Sequence, residues 1–327
     1  MNLIGEHTDY NGGLALPFAL DRRTTATVEV RDDDLVRIAS RQLEDPWEGR
    51  TGDLGSASGW GAYAAGVLWA LREDGWEIPG LDIEVDSTVP LGAGLSSSAA
   101  LEVSVAVAVA DLQERDLTAE LRRSLVDVCR RAETEIAGAP TGGLDQMASL
   151  LCRHEHALLI DFSDGSTRDV PLALEGAGLA VLVVDTRVHH SHVGGGYADR
   201  RAESERGDPR RARHVRTEND RVRAAVAALE GGDWPVLGEL MTASHASLRD
   251  DYEVSAPELD TAVDAALGAG ALGARMTGGG FGGSAIALVE QRAVEDVTAA
   301  IGTAFGTAGH RAPDFLVAAP SGPAALL

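Results

Sequence analysis

The chain has 327 residues, 44% of them apolar, with 51 acidic against 28 basic side chains and a formal charge of −23. This length can bury a substantial core and points to two domains, while the acidic surplus disfavours nucleic acid and an anionic membrane surface as partners. Two cysteines, Cys129 and Cys152, are too few for a disulfide framework and lack zinc spacing; with no apolar run of membrane length, a cytoplasmic protein with two buried thiols is expected.

In chain order, Thr24-Thr-Ala-Thr-Val-Glu-Val30 and Leu35-Val-Arg-Ile38 alternate at period two and predict strands paired around the Asp-rich turn at 32–34. Apolar residues recur at helical spacing from Trp60 to Arg72, and Leu81-Asp-Ile-Glu-Val85 returns to alternation. Over 98–110, Val103, Val105, Val107 and Val109 alternate with small residues as in a strand, yet the alanine content and the preceding serines favour a serine-capped helix. Another helix is expected over 118–137, with Leu121, Leu125, Val128 and Ala132 on one face. Beyond the Gly/Pro cluster at 138–143, a second alternating region should end in Leu179-Ala-Val-Leu-Val-Val184. The Gly176–Gly178 segment is the expected boundary between domains at 1–178 and 179–327. From Asp199 to Arg223 nine arginines mix with six acidic residues, which predicts one long helix with a solvated, salt-bridged face.

The segment Pro90-Leu-Gly-Ala-Gly-Leu-Ser-Ser-Ser-Ala-Ala-Leu-Glu102 reads as a phosphate cradle or, more plainly, as a turn between two elements. Gly92 and Gly94 allow a tight backbone curl, and a helix N-terminus attracts anions. No lysine occurs anywhere in the chain, so neither a G-x-x-x-x-G-K-[ST] loop nor a kinase strand lysine exists, and the third Rossmann glycine is replaced by Ser97. A nucleotide site here must rely on amides, hydroxyls and a metal ion. At the start, Met1-Asn-Leu-Ile-Gly-Glu-His-Thr-Asp-Tyr-Asn-Gly-Gly13 clusters Glu6, His7, Asp9 and Asn11, either to grip the hydroxyls of a polyol or as a capped turn. In Ala137-Gly-Ala-Pro-Thr-Gly-Gly-Leu-Asp-Gln-Met147, Asp145 stands in an otherwise uncharged, glycine-flanked segment and is a candidate base; Glu133, upstream, is a candidate magnesium ligand or an ordinary surface residue. Five glycines within 278–283 of Gly273-Ala-Arg-Met-Thr-Gly-Gly-Gly-Phe-Gly-Gly-Ser284 point to close packing against the phosphate loop. His189-His-Ser-His192 lacks a fitting fourth ligand and reads as a polar loop.

NLIGEHTDYNGG at 2–13, PLGAGLSSSAALE at 90–102 and RMTGGGFGGSAIALV at 275–289, in this order, resemble the motifs of the GHMP kinases, and the first resembles the signature of their galactokinase branch. The resemblance implies an α+β, two-domain GHMP kinase fold with the active site in the cleft between domains. It implies that Glu6, His7 and Asp9 hold galactose hydroxyls, with Gly142 and Tyr197 lining the same pocket, and that Asp145 is the catalytic carboxylate. It also implies that Gly92, Ala93, Gly94, Leu95, Ser96, Ser97 and Ser98 surround the phosphates of ATP, that Trp60 flanks the adenine, and that Ser98 and Glu133 bind Mg2+. The implied activity is transfer of the γ-phosphoryl of ATP to the anomeric hydroxyl of galactose; a monomer is expected, although the sequence itself does not fix the oligomeric state. A kinase for N-acetylgalactosamine, arabinose or galacturonate, and a catalytically silent sugar sensor, are the alternatives. In the family the first motif follows Gly-Arg and one apolar residue; Met1 stands at the apolar position, and the expectation is a late-called start or a shortened, weakly active product lacking that arginine and a first strand.

Overall fold

The structure is a computed structural model that describes residues 1–188 and 193–327, with the backbone alone for 193–195 and 197. Its strands are β1 (Leu14–Ala15), β2 (Ala19–Leu20), β3 (Thr24–Val30), β4 (Leu35–Ser40), β5 (Trp47–Arg50), β6 (Leu81–Ser87), β7 (His156–Asp161), β8 (Ser166–Pro171), β9 (Leu179–Asp185), β10 (Gly273–Thr277), β11 (Ser284–Glu290), β12 (Asp314–Ala318) and β13 (Pro320–Ser321). Its α-helices are α1 (Gly61–Glu73), α2 (Ser97–Leu112), α3 (Ala119–Arg131), α4 (Leu144–Leu151), α5 (Val193–Glu205), α6 (Pro209–Gly231), α7 (Trp234–Ser247), α8 (Pro257–Gly268) and α9 (Val294–Ala308). Contacts gather residues 1–21, 91–95 and 153–322 into one compact unit and 22–90, 96–152 and 323–327 into a second. This differs from a single cut at 178, because β2 pairs with β13, which ties the first residues to the end of the chain, and 153–178 fall in that same unit.

In the second unit a sheet of order β3-β6-β4-β5 carries α1, α2 and α3 against a core that includes Val36, Ile38, Leu68, Leu71, Ile83, Val103 and Val107. The expected β3–β4 pairing is not formed. β6 lies between them, antiparallel to β3 and parallel to β4. A parallel pair needs a long crossover, and α1 supplies it; the turn at 32–34 is instead tied to β6 through Arg31, which donates to Asp33 and Asp82. Residues 98–110 are helical, as the composition favoured. All four alternating valines of α2 are buried because the helix is apolar nearly all round, with β3 on one side and α1, α3 and α4 on others. The expected serine cap is absent: Ser96 adopts φ +61° and its side chain makes no capping bond. The α3 helix ends at Arg131 and a π-turn continues to Ile136. After the Gly/Pro cluster the chain forms α4, where alternation was expected, starting from Gly143 at φ +89°.

In the first unit β10-β11-β9-β12 form an antiparallel sheet. β9 and β11 are buried at every position but the last, so Leu179–Val184 is a continuous apolar run rather than an alternating strand. Helices α8 and α9 cover the sheet with Leu259, Val263, Val297, Ile301 and Phe305. The charged segment 199–223 is two helices, not one. Gly207 turns the chain at φ +78°, and Asp208 caps α6 by accepting from the amides of Arg210 and Arg211, with Pro209 at the first helical position. Nor is its face wholly solvated, since Arg211, His214 and Glu218 are buried. Both cysteines are buried, as expected. Among the described residues no helix is long and apolar enough to cross a membrane.

Candidate active site

In the first unit, residues 1–5 run against 14–18, with Leu3 N–H donating to Leu16 O at 3.1 Å and Leu16 N–H to Ile4 O at 2.9 Å. Gly5 is required where it stands: at φ +102°, a Cβ would lie 2.5 Å from Leu14 O. The chain then turns Glu6 inward. Its Oε1 accepts from the Gly278 amide at 2.8 Å and the Thr277 hydroxyl at 3.1 Å, with Arg275 Nη1 at 3.5 Å. Burial raises the Glu6 pKa, and Arg275 is the chief group pulling it back. His7, at φ +58°, stacks on Tyr252 with centroids 4.7 Å apart and brings Nδ1 to 2.7 Å from Tyr10 OH. Burial, aided by His214, lowers its pKa to about 3, so the ring is neutral at physiological pH and can donate or accept. Asp9 is half-buried in the short turn Asp9–Asn11, and Asn11 Nδ2 donates to His7 O at 2.7 Å.

A buried layer from α6 and α7 supports this segment. His214 Nε2 donates to the Glu6 carbonyl at 3.0 Å, while its Nδ1 lies 2.9 Å from Ser247 Oγ. Glu218 accepts from the Gly5 amide at 2.9 Å, Ser244 Oγ at 2.7 Å and Arg221 Nε at 2.7 Å. Reading the charge-rich region as a solvated face missed these residues. A signal was present, since Arg211, His214, Glu218, Val222 and Ala225 recur three and four apart and share one helical stripe.

Residues 92–95, the part of the expected phosphate loop that lies in this unit, pack on the third motif. Gly92 and Gly94 adopt φ +76° and +69°, Ala93 and Leu95 are buried, and Ser284 Oγ donates to Ala93 O at 2.6 Å. Gly278, at φ +79°, abuts the loop: a Cβ there would lie 3.1 Å from Gly94 O.

In the second unit Ser96, Ser97 and Ser98 open α2. Ser98 Oγ donates to Glu133 Oε1 at 2.8 Å, and Gln146 Nε2 lies 2.6 Å from Glu133 Oε2 and 2.9 Å from Glu102 Oε2. Glu133 is therefore no ordinary surface residue. Burial lifts its pKa to about 7, against the hydrogen bonds of Ser98 and Gln146, and lifts that of Glu102 to about 10 with help from the Glu133 charge. Asp145 is half-buried in the first turn of α4, next to Gln146, and Gly142 is half-buried just before it. Trp60 is half-buried, packs on the core and donates its indole N–H to Asp45 O at 3.0 Å. Tyr197 and the histidines at 189, 190 and 192 lie outside the described residues, Tyr197 as to its side chain.

Ser98 and Glu133 fit a divalent cation of the magnesium kind. They are hard oxygen donors in contact, and the raised pKa of Glu133 marks a buried carboxylate that a cation would relieve. Among the described residues no group of three or more His, Cys, Asp or Glu could hold a metal.

The family model described as GHMP kinases N terminal domain matches residues 62–153, GHMP kinases C terminal matches 225–307, and the Galactokinase galactose-binding signature matches 1–30. The fold and the three glycine-bearing motifs are those of a GHMP-class kinase. The galactokinase of Streptomyces coelicolor is 48% identical over 98% of this chain and 90% of its own, and that of Mycobacterium tuberculosis 41% over 96% and 93%. The solved structure of Lactococcus lactis galactokinase complexed with galactose matches with a TM-score of 0.94 at 32% identity, covering 100% of this chain and 92% of that one. A mevalonate kinase, at TM-score 0.76 and 19% identity over 97% and 96%, shares the fold. The chain belongs to the galactokinase family.

Proposed function

We propose that the protein transfers the γ-phosphoryl group of ATP to the anomeric hydroxyl of galactose, giving galactose 1-phosphate and ADP in the cytoplasm. The observation that carries this reading is the galactose-binding signature at 1–30, in which Glu6 and a neutral His7 are held by buried networks. Glu6, His7, Asp9, Gly142 and Tyr197 are its sugar-binding residues. Phosphoryl transfer requires in-line positioning and relief of charge more than covalent help from the protein. The amides of Gly92–Leu95 and the hydroxyls of Ser96–Ser98 hold the phosphates, Trp60 borders the base, and Asp145 orients the attacking hydroxyl and takes its proton. Ser98 and Glu133 would hold Mg2+, which supplies charge neutralisation on the phosphates when bound.

The test is a panel of galactose, N-acetylgalactosamine, arabinose and galacturonate with coupled detection of ADP. Turnover on galactose well above the others is expected. Turnover on another member of the panel would reassign the substrate, and galactose binding without ADP release would make the chain a sensor.

A further inference from the structure

Arg275 lies in β10, all five residues of which are buried, and is itself 0% exposed. Its Nη1 donates to Leu3 O at 3.2 Å and lies 3.4 Å from Asn2 O and 3.5 Å from Glu6 Oε1; Nε and Nη2 find no partner among the described residues. A buried cation with two unsatisfied nitrogens is a poor stabiliser, since an apolar side chain of similar volume would fill the strand without that desolvation penalty. Besides the two carbonyls, the arginine faces one charged group, Glu6. Gly278 aims at the same carboxylate, as does Thr277, whose hydroxyl shares its proton between Asn2 O at 3.0 Å and Glu6 at 3.1 Å, and all three contacts on Glu6 end on Oε1.

We propose that Arg275 is a positioning residue for the sugar: with Thr277 and the Gly278 amide it occupies Oε1 of Glu6 and fixes the carboxylate plane, so that Oε2 accepts from a hydroxyl of the hexose. The inference rests on the reading of Glu6 as a sugar ligand. It gives the third motif a second task besides packing on the phosphate loop, because residues 275–278 then set the geometry of the sugar grip.

The experiment compares Glu6→Gln, Thr277→Val, Arg275→Met and the double variant Arg275→Met/Glu6→Gln by calorimetric titration with galactose and, separately, with MgATP. Arg275→Met should weaken galactose about 10- to 100-fold and Thr277→Val about 3- to 10-fold, with MgATP affinity changed less than about twofold in both. The double variant should bind galactose no more weakly than Glu6→Gln alone, because the arginine acts through that carboxylate. If Arg275→Met does not fold, Thr277→Val and the double variant, which holds no unpaired buried charge, give the answer. Equal losses for both ligands, unchanged galactose binding in Thr277→Val and Arg275→Met, or losses that add in the double variant would overturn the proposal. Galactose binding indifferent to Glu6→Gln would instead overturn the reading of Glu6 itself.

Discussion

Glu102→Gln should remove a stability cost that grows with pH. Glu102 is fully buried in α2, accepts from Gln146 through Oε2 at 2.9 Å, and has no partner for Oε1 among the described residues. Burial, and after it the charge of Glu133, pushes its carboxyl up to about 10, so the folded protein keeps this proton at neutral pH while the unfolded chain releases it in the ordinary carboxylate range. A proton bound only in the folded state makes stability fall as pH rises, by about 1.4 kcal/mol per pH unit between the unfolded and folded pKa values. Glu133, raised to about 7, and Glu6, also raised by burial, act in the same direction but are present in both proteins, so the difference between wild type and variant from pH 7 to 9 reports Glu102. One proton over two pH units corresponds to about 2.7 kcal/mol. The glutamine keeps the shape of the protonated acid and can still accept from Gln146. Urea unfolding in EDTA at pH 7, 8 and 9 should therefore show the wild-type free energy declining by about that amount more than the variant's. Parallel pH dependence in the two proteins would refute a buried, protonated Glu102.

Asp145→Asn keeps the side-chain shape but loses the negative charge, and should lower kcat at least about a hundredfold while calorimetry finds galactose affinity nearly unchanged; near wild-type turnover would remove Asp145 from the chemistry. Gly278→Ala forces a Cβ to φ +79° and to 3.1 Å from Gly94 O, costing about 1–2 kcal/mol in backbone strain. Because the same residue also donates to Glu6, KM should rise for galactose and for ATP together, and a change in one alone would show the two sites to be independent. Ser98→Ala removes the hydroxyl on Glu133 Oε1 and should raise the Mg2+ concentration for half-maximal activity about tenfold, with galactose affinity unaffected; an unshifted magnesium titration would exclude Ser98 as a ligand.

Local features of the fold were legible where one segment decides its own structure. The helical spacing over 60–72 gives α1, and the alternation of Leu81, Ile83 and Val85 gives β6, with those three residues buried on one face. The β3–β4 pairing failed because sequence adjacency says nothing about a strand that arrives about forty residues later and inserts between them; that outcome depends on α1 serving as a crossover. The break between α5 and α6 is a different kind of miss. Gly207-Asp-Pro209 carries a turn residue, a capping aspartate and a proline suited to the first helical position, and these local signals outweigh a charge pattern that runs on without a break.

The motif residues could be singled out because glycine, hydroxyl and carboxylate cluster within short contiguous stretches. The contacts that hold them could not, since Arg275, Thr277, His214 and Glu218 reach the first motif from more than two hundred positions away. Over 199–223 charge was read as a mark of solvent, and there the buried Arg211, His214 and Glu218 overturn it. Glu102 shares a face of α2 with Ala99, Val103 and Ala106, all buried, just as His214 and Glu218 share one with Val222 and Ala225 on α6. A charged side chain on the apolar stripe of a helix must either leave the stripe or find partners inside, and burial without partners costs several kcal/mol. Both helices take the second course. Glu218 meets the Gly5 amide, Ser244 and Arg221, and Glu102 meets Gln146, so the polar exceptions on each stripe lead directly to the networks beneath the sugar motif and beside Asp145.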